Sequence, residues 1–260
     1  MTTAGYVEFE FDLPEALLAK LVQVFDHLPE ATLLSDVVNT IPEEQGVYQL
    51  FLQSEGKRDL VYIGKTDAEA GLRKRLSRHA EKIQQRMGLD PSLVFFKAVR
   101  VYVFTAVDLE TQLISHYGGT KQVSWNGSGF GSNDPGVERD TTKFKPDHFE
   151  TKFPIDIARP TTFPIATKGK AADVLRTLKR NLPYLIRFER KSKNSQIAHD
   201  DLEGTDVKLD PKKALTPESV IAQVIKQLPA GWHATLLPSH VIIYKNDDRK
   251  FPSGRLIAKS

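Results

Sequence analysis

The stretch GVYQLFLQSEGKRDLVYIGKT, from Gly46 to Thr66, constrains this chain more than any other. Two runs rich in apolar, β-branched and aromatic residues flank a polar break that carries glycine, which predicts a β-hairpin. Each run holds one tyrosine beside a glycine, Tyr48 and Tyr62. Either ring alone reads as an ordinary strand aromatic, since tyrosine suits a pleated surface and buries a large apolar face.

The segments around the hairpin alternate between strand and helix patterns. YVEFEFDL (6–13) alternates apolar and acidic residues and predicts a strand. PEALLAKLVQVFDHL predicts a helix with Pro14 in its first turn. After the hairpin, GLRKRLSRHAEKIQQRM predicts a basic helix that buries Leu72, Leu76, Ile83 and Met87. VFFKAVRVYVF predicts a strand, and DLETQLISHYG a helix capped by Asp108 and ending at Gly118. WNGSGFGSNDPGVERDTT reads as an ordered glycine-rich loop. Further on, AADVLRTLKRNLPYLIRF predicts a helix passing into a strand, a helix opens at Thr216-Pro217-Glu218, and HVIIYK and GRLIAK are expected to pair.

The fold class that follows is α/β (α+β), elaborated at both ends. The expected divisions are an N-terminal extension (1–43), a central domain (44–140), a helical extension packing on the core (141–190), a linker or mobile loop (191–213) and a small α/β element (214–260).

With 40% hydrophobic and 27% charged residues in 260, a sizeable core is expected. No run approaches the ~18 apolar residues of a membrane span, and the acidic N-terminus does not resemble a secretory signal. The absence of cysteine excludes disulfides and thiolate-bound zinc. The expected setting is the cytoplasm, with no membrane partner. Charge is unevenly spread: residues 1–56 carry −9, residues 57–100 carry +6 and residues 141–260 carry +9. Such basic regions point to a polyanion, with nucleic acid first.

Six positions carry chemistry when taken together: Tyr48 in GVY, Tyr62 in YIG, Arg75 and His79 in RLSRH, Glu110 on the helix after the long strand, and Asn126 in WNG. In this order, over residues 44–130, they resemble the GIY-YIG nuclease superfamily. The resemblance implies a small module with a three-stranded antiparallel sheet flanked by helices. Val47 replaces the isoleucine of the name, and the long interval before Asn126 leaves Asn133 as its rival. The WNGSGFGSNDPG loop and the arginine–histidine pair look most like the type II restriction endonucleases of that superfamily. These implied a bacterial or archaeal restriction-modification enzyme that acts on double-stranded DNA, as a homodimer on a palindromic site.

The implied chemistry is phosphodiester hydrolysis. Glu110 suits Mg²⁺, with Mn²⁺ as a substitute, because magnesium keeps much of its water and takes hard oxygen ligands. Arg75 offers a permanently charged fork for phosphate oxygens. By the resemblance Tyr48 is the base, while histidine is better matched to neutral pH than a phenol; sequence leaves Tyr48 and His79 both open as the proton acceptor. Tyr62 would orient the water or the phosphate, and Asn126 would fix geometry by hydrogen bonds. Lys57, Arg58, Lys65, Arg73, Lys74 and Arg78 are the expected DNA contacts, joined by basic residues of KFKPDHFETK and RTLKRN. The competing readings are a structure-specific or mobile-element nuclease, a DNA-binding protein that does not cut, and a transferase with a covalent tyrosine intermediate.

Overall fold

The computed structural model describes residues 4–5, 12–67, 69–102, 108–119, 121–132, 136–213 and 215–260. Of the strand expected over 6–13, residues 6–11 lie outside the described residues, as does Asn133, while Asp12 and Leu13 cap and begin a helix instead. The protein is a mixed α/β fold in which antiparallel pairing dominates. The chain divides into two compact units, Met1–Ala80 with Pro91–Gly127, and Glu81–Asp90 with Ser128–Ser260. Among the described residues no helix is long and apolar enough to cross a membrane.

The first unit opens with α1 (Leu13–His27), whose N-cap Asp12 accepts a hydrogen bond from the Glu15 amide at 2.9 Å. There follow β1 (Ala31–Thr32), α2 (Val37–Thr40), β2 (Gly46–Ser54), β3 (Lys57–Thr66), α3 (Leu72–Lys82), β4 (Val94–Arg100) and α4 (Leu109–His116). The sheet runs β1-β4-β2-β3 and is antiparallel throughout. It therefore has four strands instead of the expected three, because the two-residue β1 adds to the outer edge of β4. Glu55 (φ 50°) and Gly56 (φ 78°) make the hairpin turn, the positive φ pair that matches the twist of its strands. The β2–β3 register shifts at one point: Leu50 faces Tyr62 and Phe51 faces Leu60, so Val61 is the extra residue of a β-bulge. One sheet face buries Val47 and Ile63 with Leu21 and Phe25 of α1 and Leu109 and Leu113 of α4. The opposite face carries Tyr48 and Tyr62 and meets the buried Leu72, Leu76 and His79 side of α3.

Helix α3 stops five residues before Met87, which is exposed rather than buried as expected. Gln85 (φ 49°) and Gly88 (φ 72°) turn the chain out of helical geometry there, so the periodic pattern outlasts the helix.

The second unit contains α5 (Phe149–Lys152), β5 (Lys168–Lys170), α6 (Ala171–Asn181), β6 (Leu185–Phe188), α7 (Asp200–Gly204), β7 (Asp206–Lys208), α8 (Pro217–Ile225), β8 (Trp232–Leu236), β9 (His240–Lys245) and β10 (Arg255–Lys259). Its main sheet runs β10-β8-β9-β6, with only the β6–β9 pair parallel. The strands expected to pair directly, β9 and β10, are separated by β8, which pairs with both. Leu175 and Leu178 of α6, Val220 and Ile221 of α8, and Trp232, Val241 and Ile243 of the sheet make one core. The stretch 191–213, expected as a linker, instead holds α7 and β7 and buries Ala198, Leu202, Val207 and Leu209 in that core. Its charged residues are the solvent side of two elements too short to show a period.

Candidate active site

The two glycines of the hairpin are space requirements. Tyr48 stands opposite Gly64 across the β2–β3 pair. A Cβ on Gly64 would lie 2.3 Å from the Tyr48 hydroxyl and 2.4 Å from Cζ, so the ring can cross the neighbouring strand only over a glycine. A Cβ on Gly46 would meet the Val99 carbonyl oxygen at 2.4 Å and Leu72 Cδ1 at 2.6 Å. Gly46 thus lets β4 and α3 close on the start of β2.

Laid over Gly64, the Tyr48 hydroxyl reaches α3. It sits 2.8 Å from His79 Nε2, and Arg75 Nε donates to it at 3.4 Å. Arg75 and His79, four residues apart, share the helix face turned to the hairpin. The Tyr62 ring lies 6.0 Å from Tyr48 and 5.3 Å from His79 between centroids. Arg75 and Tyr48 both act on the proton affinity of its hydroxyl. Four of the six predicted site residues, from three elements, therefore form one cluster.

Burial sets the proton affinities in this cluster. Tyr48 and His79 are both buried. Burial, reinforced by Tyr62, pushes the Tyr48 phenol far above its ordinary range, and the nearby Arg75 offsets only part of this. Tyr62 is also raised by burial; Arg75 pulls it down and Glu110 pushes it up. Burial works against the Arg75 charge, yet its contacts with the two phenols hold it above the usual guanidinium value. Tyr62, unlike Tyr48, also feels the Glu110 charge, while both phenol rings pack against the His79 imidazole.

Glu110 lies in the first turn of α4, behind the N-cap Asp108. Asp108 Oδ1 accepts from Lys65 Nζ at 2.8 Å, and Asp108 Oδ2 from the Thr111 hydroxyl at 2.6 Å. These bonds, Lys65 first, hold the Asp108 carboxyl at about 2. Glu110 makes no hydrogen bond or ion pair with the described residues. Burial raises its carboxyl above the ordinary range, although Lys65 and Arg75 pull it down. A half-buried carboxylate without a protein partner fits a hard divalent cation whose remaining ligands are water and phosphate. Among the described residues no group of three or more histidines and acids forms a denser metal cage.

The raised Glu110 carboxyl has a consequence for stability. Its folded pKa lies above the unfolded value, so folding is favoured while the group is protonated, and that contribution is lost as pH rises. In EDTA, Glu110→Gln is expected to melt at a higher temperature than wild type at pH 7, with the gap closing below about pH 4. Melting curves across pH check this, and a lower Tm for the variant at pH 7 would contradict it.

Asn126 braces β3. Its Oδ1 accepts from the Ile63 amide and its Nδ2 donates to the Ile63 carbonyl, both at 2.8 Å. The Trp125 amide donates to the Val61 carbonyl, at the bulge, at 2.7 Å. The segment thus grips the strand on both sides of Tyr62. Asn126→Ala leaves two Ile63 backbone groups without that partner and is expected to cost about 1–3 kcal/mol. Chemical denaturation measures it; a loss within ~0.3 kcal/mol would show that the brace is idle.

The expected DNA contacts are scattered. Lys57 and Arg58 lie at the hairpin tip, six residues along β2 from Tyr48, or about 20 Å. Arg58 pairs with Glu30 and stacks on Phe95, its Cζ 3.8 Å from the ring centroid. Arg73 pairs with Glu43 at 3.0 Å and Lys65 with Asp108, while Lys74 and Arg78 occupy the exposed face of α3. Three of the six are thus engaged by acids, two of them, Glu30 and Glu43, from the acidic N-terminal stretch. Sequence reasoning missed Asp108 as the holder of Lys65, though an aspartate N-cap two residues before Glu110 was the available signal. No protein-family model matches the chain, and no curated protein matches it.

Proposed function

We propose that the first unit is a GIY-YIG-type nuclease, and that the chain is a Mg²⁺-dependent type II restriction endonuclease acting on double-stranded DNA in the cytoplasm. The observation that carries the proposal is the buried Tyr48–His79–Arg75–Tyr62 cluster, with an unpaired Glu110 carboxylate on the next helix. Two phenols, an imidazole and a guanidinium meeting at one strand crossing exceed what packing requires.

Bound Mg²⁺, held by Glu110, would supply Lewis-acid polarisation of the phosphate and stabilise the leaving 3′ oxygen. Arg75 provides a fixed positive charge beside the reacting phosphate. Water attacks phosphorus, the P–O3′ bond breaks, and the water proton enters the cluster at Tyr62. Because Tyr48 is so weak an acid, it serves better as a relay than as a standing phenolate. It passes a proton to His79 Nε2 as it takes one from Tyr62, so no isolated phenolate forms. Asn126 keeps Tyr62 aimed by fixing the strand that bears it.

Digestion of a plasmid of known sequence with Mg²⁺ tests the proposal. Discrete bands are expected. Preferential cutting of branched or single-stranded DNA would replace restriction with structure-specific cleavage, and binding without cutting would sink the nuclease reading.

A further inference from the structure

WNG holds the one asparagine–glycine step in the chain, Asn126-Gly127. Such a step is chemically labile. The backbone nitrogen that follows an asparagine can attack the side-chain carbonyl carbon, and glycine, with no Cβ, hinders that approach least. How the fold holds the two reacting groups decides whether the attack proceeds.

The nucleophile is open. Gly127 is exposed, its amide donates no hydrogen bond to a described residue, and a Cβ placed on it would meet nothing within 4 Å. The electrophile is held. Asn126 Oδ1 accepts from the Ile63 amide and Nδ2 donates to the Ile63 carbonyl, both at 2.8 Å. Attack makes Cγ tetrahedral, and the loss of Nδ2 requires it to leave the Ile63 carbonyl, so both bonds must open first. Two hydrogen bonds of ordinary strength leave the side chain free roughly a tenth to a hundredth of the time.

We propose that Asn126 is a self-modification site, kept intact by its bonds to Ile63 and converted to aspartate or isoaspartate when those bonds open. The Gly127 nitrogen gives up its proton and bonds to Asn126 Cγ. The Cγ–Nδ2 bond breaks, Nδ2 leaves with that proton as ammonia, and a five-membered succinimide remains. Water then opens one of the two ring C–N bonds, which yields aspartate or, with the chain rerouted through the side chain, isoaspartate. The net change is one water in and one ammonia out, with no oxidant or cofactor.

The product cannot restore the brace. A carboxylate has no N–H for the Ile63 carbonyl and sets an oxygen against it, and isoaspartate adds a methylene to the backbone before Gly127. Conversion is therefore one-way, and it needs no cutting activity in the first unit.

The test keeps the full folded chain and the free peptide VSWNGSGF in the same mildly alkaline buffer, and follows the exchange of amide for acid at Asn126 by peptide mapping and mass. The peptide, which has no brace, is expected to convert about tenfold faster than the folded chain or more. Hydrogen exchange at the Ile63 amide reports the same opening, and its protection is expected to match that of Asn126 within about fivefold. In guanidinium, where no fold can be disturbed, Gly127→Ala is expected to slow conversion by about tenfold or more. Asn126→Asp, the analogue of the product, is expected to melt about 2–6 °C below wild type. Equal rates in chain and peptide overturn the proposal, as does conversion far slower than the Ile63 opening allows. An Asn126→Asp variant that melts with wild type overturns it too.

Discussion

Glu110→Ala is expected to lower Mg²⁺-dependent DNA cutting by about 10³-fold or more, which is ~4 kcal/mol of barrier, while DNA binding in EDTA stays within about twofold. The asymmetry follows from where Glu110 sits. It is a half-buried carboxylate that no described residue hydrogen-bonds or pairs with, so its removal breaks no hydrogen bond or ion pair among them. Asp108 cannot replace it, because its oxygens are taken by Lys65 and by Thr111. Thermal shift supplies a readout independent of cutting. Mg²⁺ should raise the Tm of wild type, since a ligand that binds only the folded state stabilises it, and should leave the variant unmoved. Cutting by the variant at the wild-type rate would remove Glu110 from the mechanism.

Gly64→Ala is expected to do harm through Tyr48. The new Cβ would sit inside the space of the phenol, at 2.3 Å from its hydroxyl, and the ring is fully buried with nowhere open to move. Overpacking of this kind costs about 1–3 kcal/mol. A ring displaced by about an ångström breaks the 2.8 Å contact with His79, and misplacement on that scale is expected to slow cutting by about 10²-fold. A double-mutant cycle isolates the cause. In a Tyr48→Ala background the stability cost of Gly64→Ala should largely vanish, because its steric partner is gone. Strictly additive losses would mean that another neighbour demands the glycine.

Much of the first unit was legible because its signals are local. The hairpin shows in the residues from Gly46 to Thr66, α4 in its Asp108 cap and Gly118 stop, and the Arg75–His79 pair in a helical spacing. What was hidden depends on distance in the chain. That Asn126 would grip Ile63, rather than contact a ligand, cannot be read from WNG. Nor can the burial of Glu150 within KFKPDHFETK, whose basic residues were expected to contact DNA: it is enclosed by Arg139 and by Arg86 and Lys82, the last two far off in sequence. Enclosure there pushes the Lys82 ammonium down to about 8. In the second unit, β8 reads WHATL, too mixed to announce a strand, and without it β9 and β10 seemed natural partners.

The clasp of Trp125 and Asn126 on β3 bears on how this chain meets other copies of itself. An edge strand offers its unpaired amides and carbonyls to any neighbouring chain. Around Tyr62 that offer is withdrawn, because the Val61 carbonyl and both Ile63 backbone groups are already spoken for. Two copies therefore cannot fuse their sheets into one through this stretch of β3. A second copy that docked on this stretch would have to meet it through side chains, and a chain whose clasp has been cut gains a sticky edge beside Tyr62.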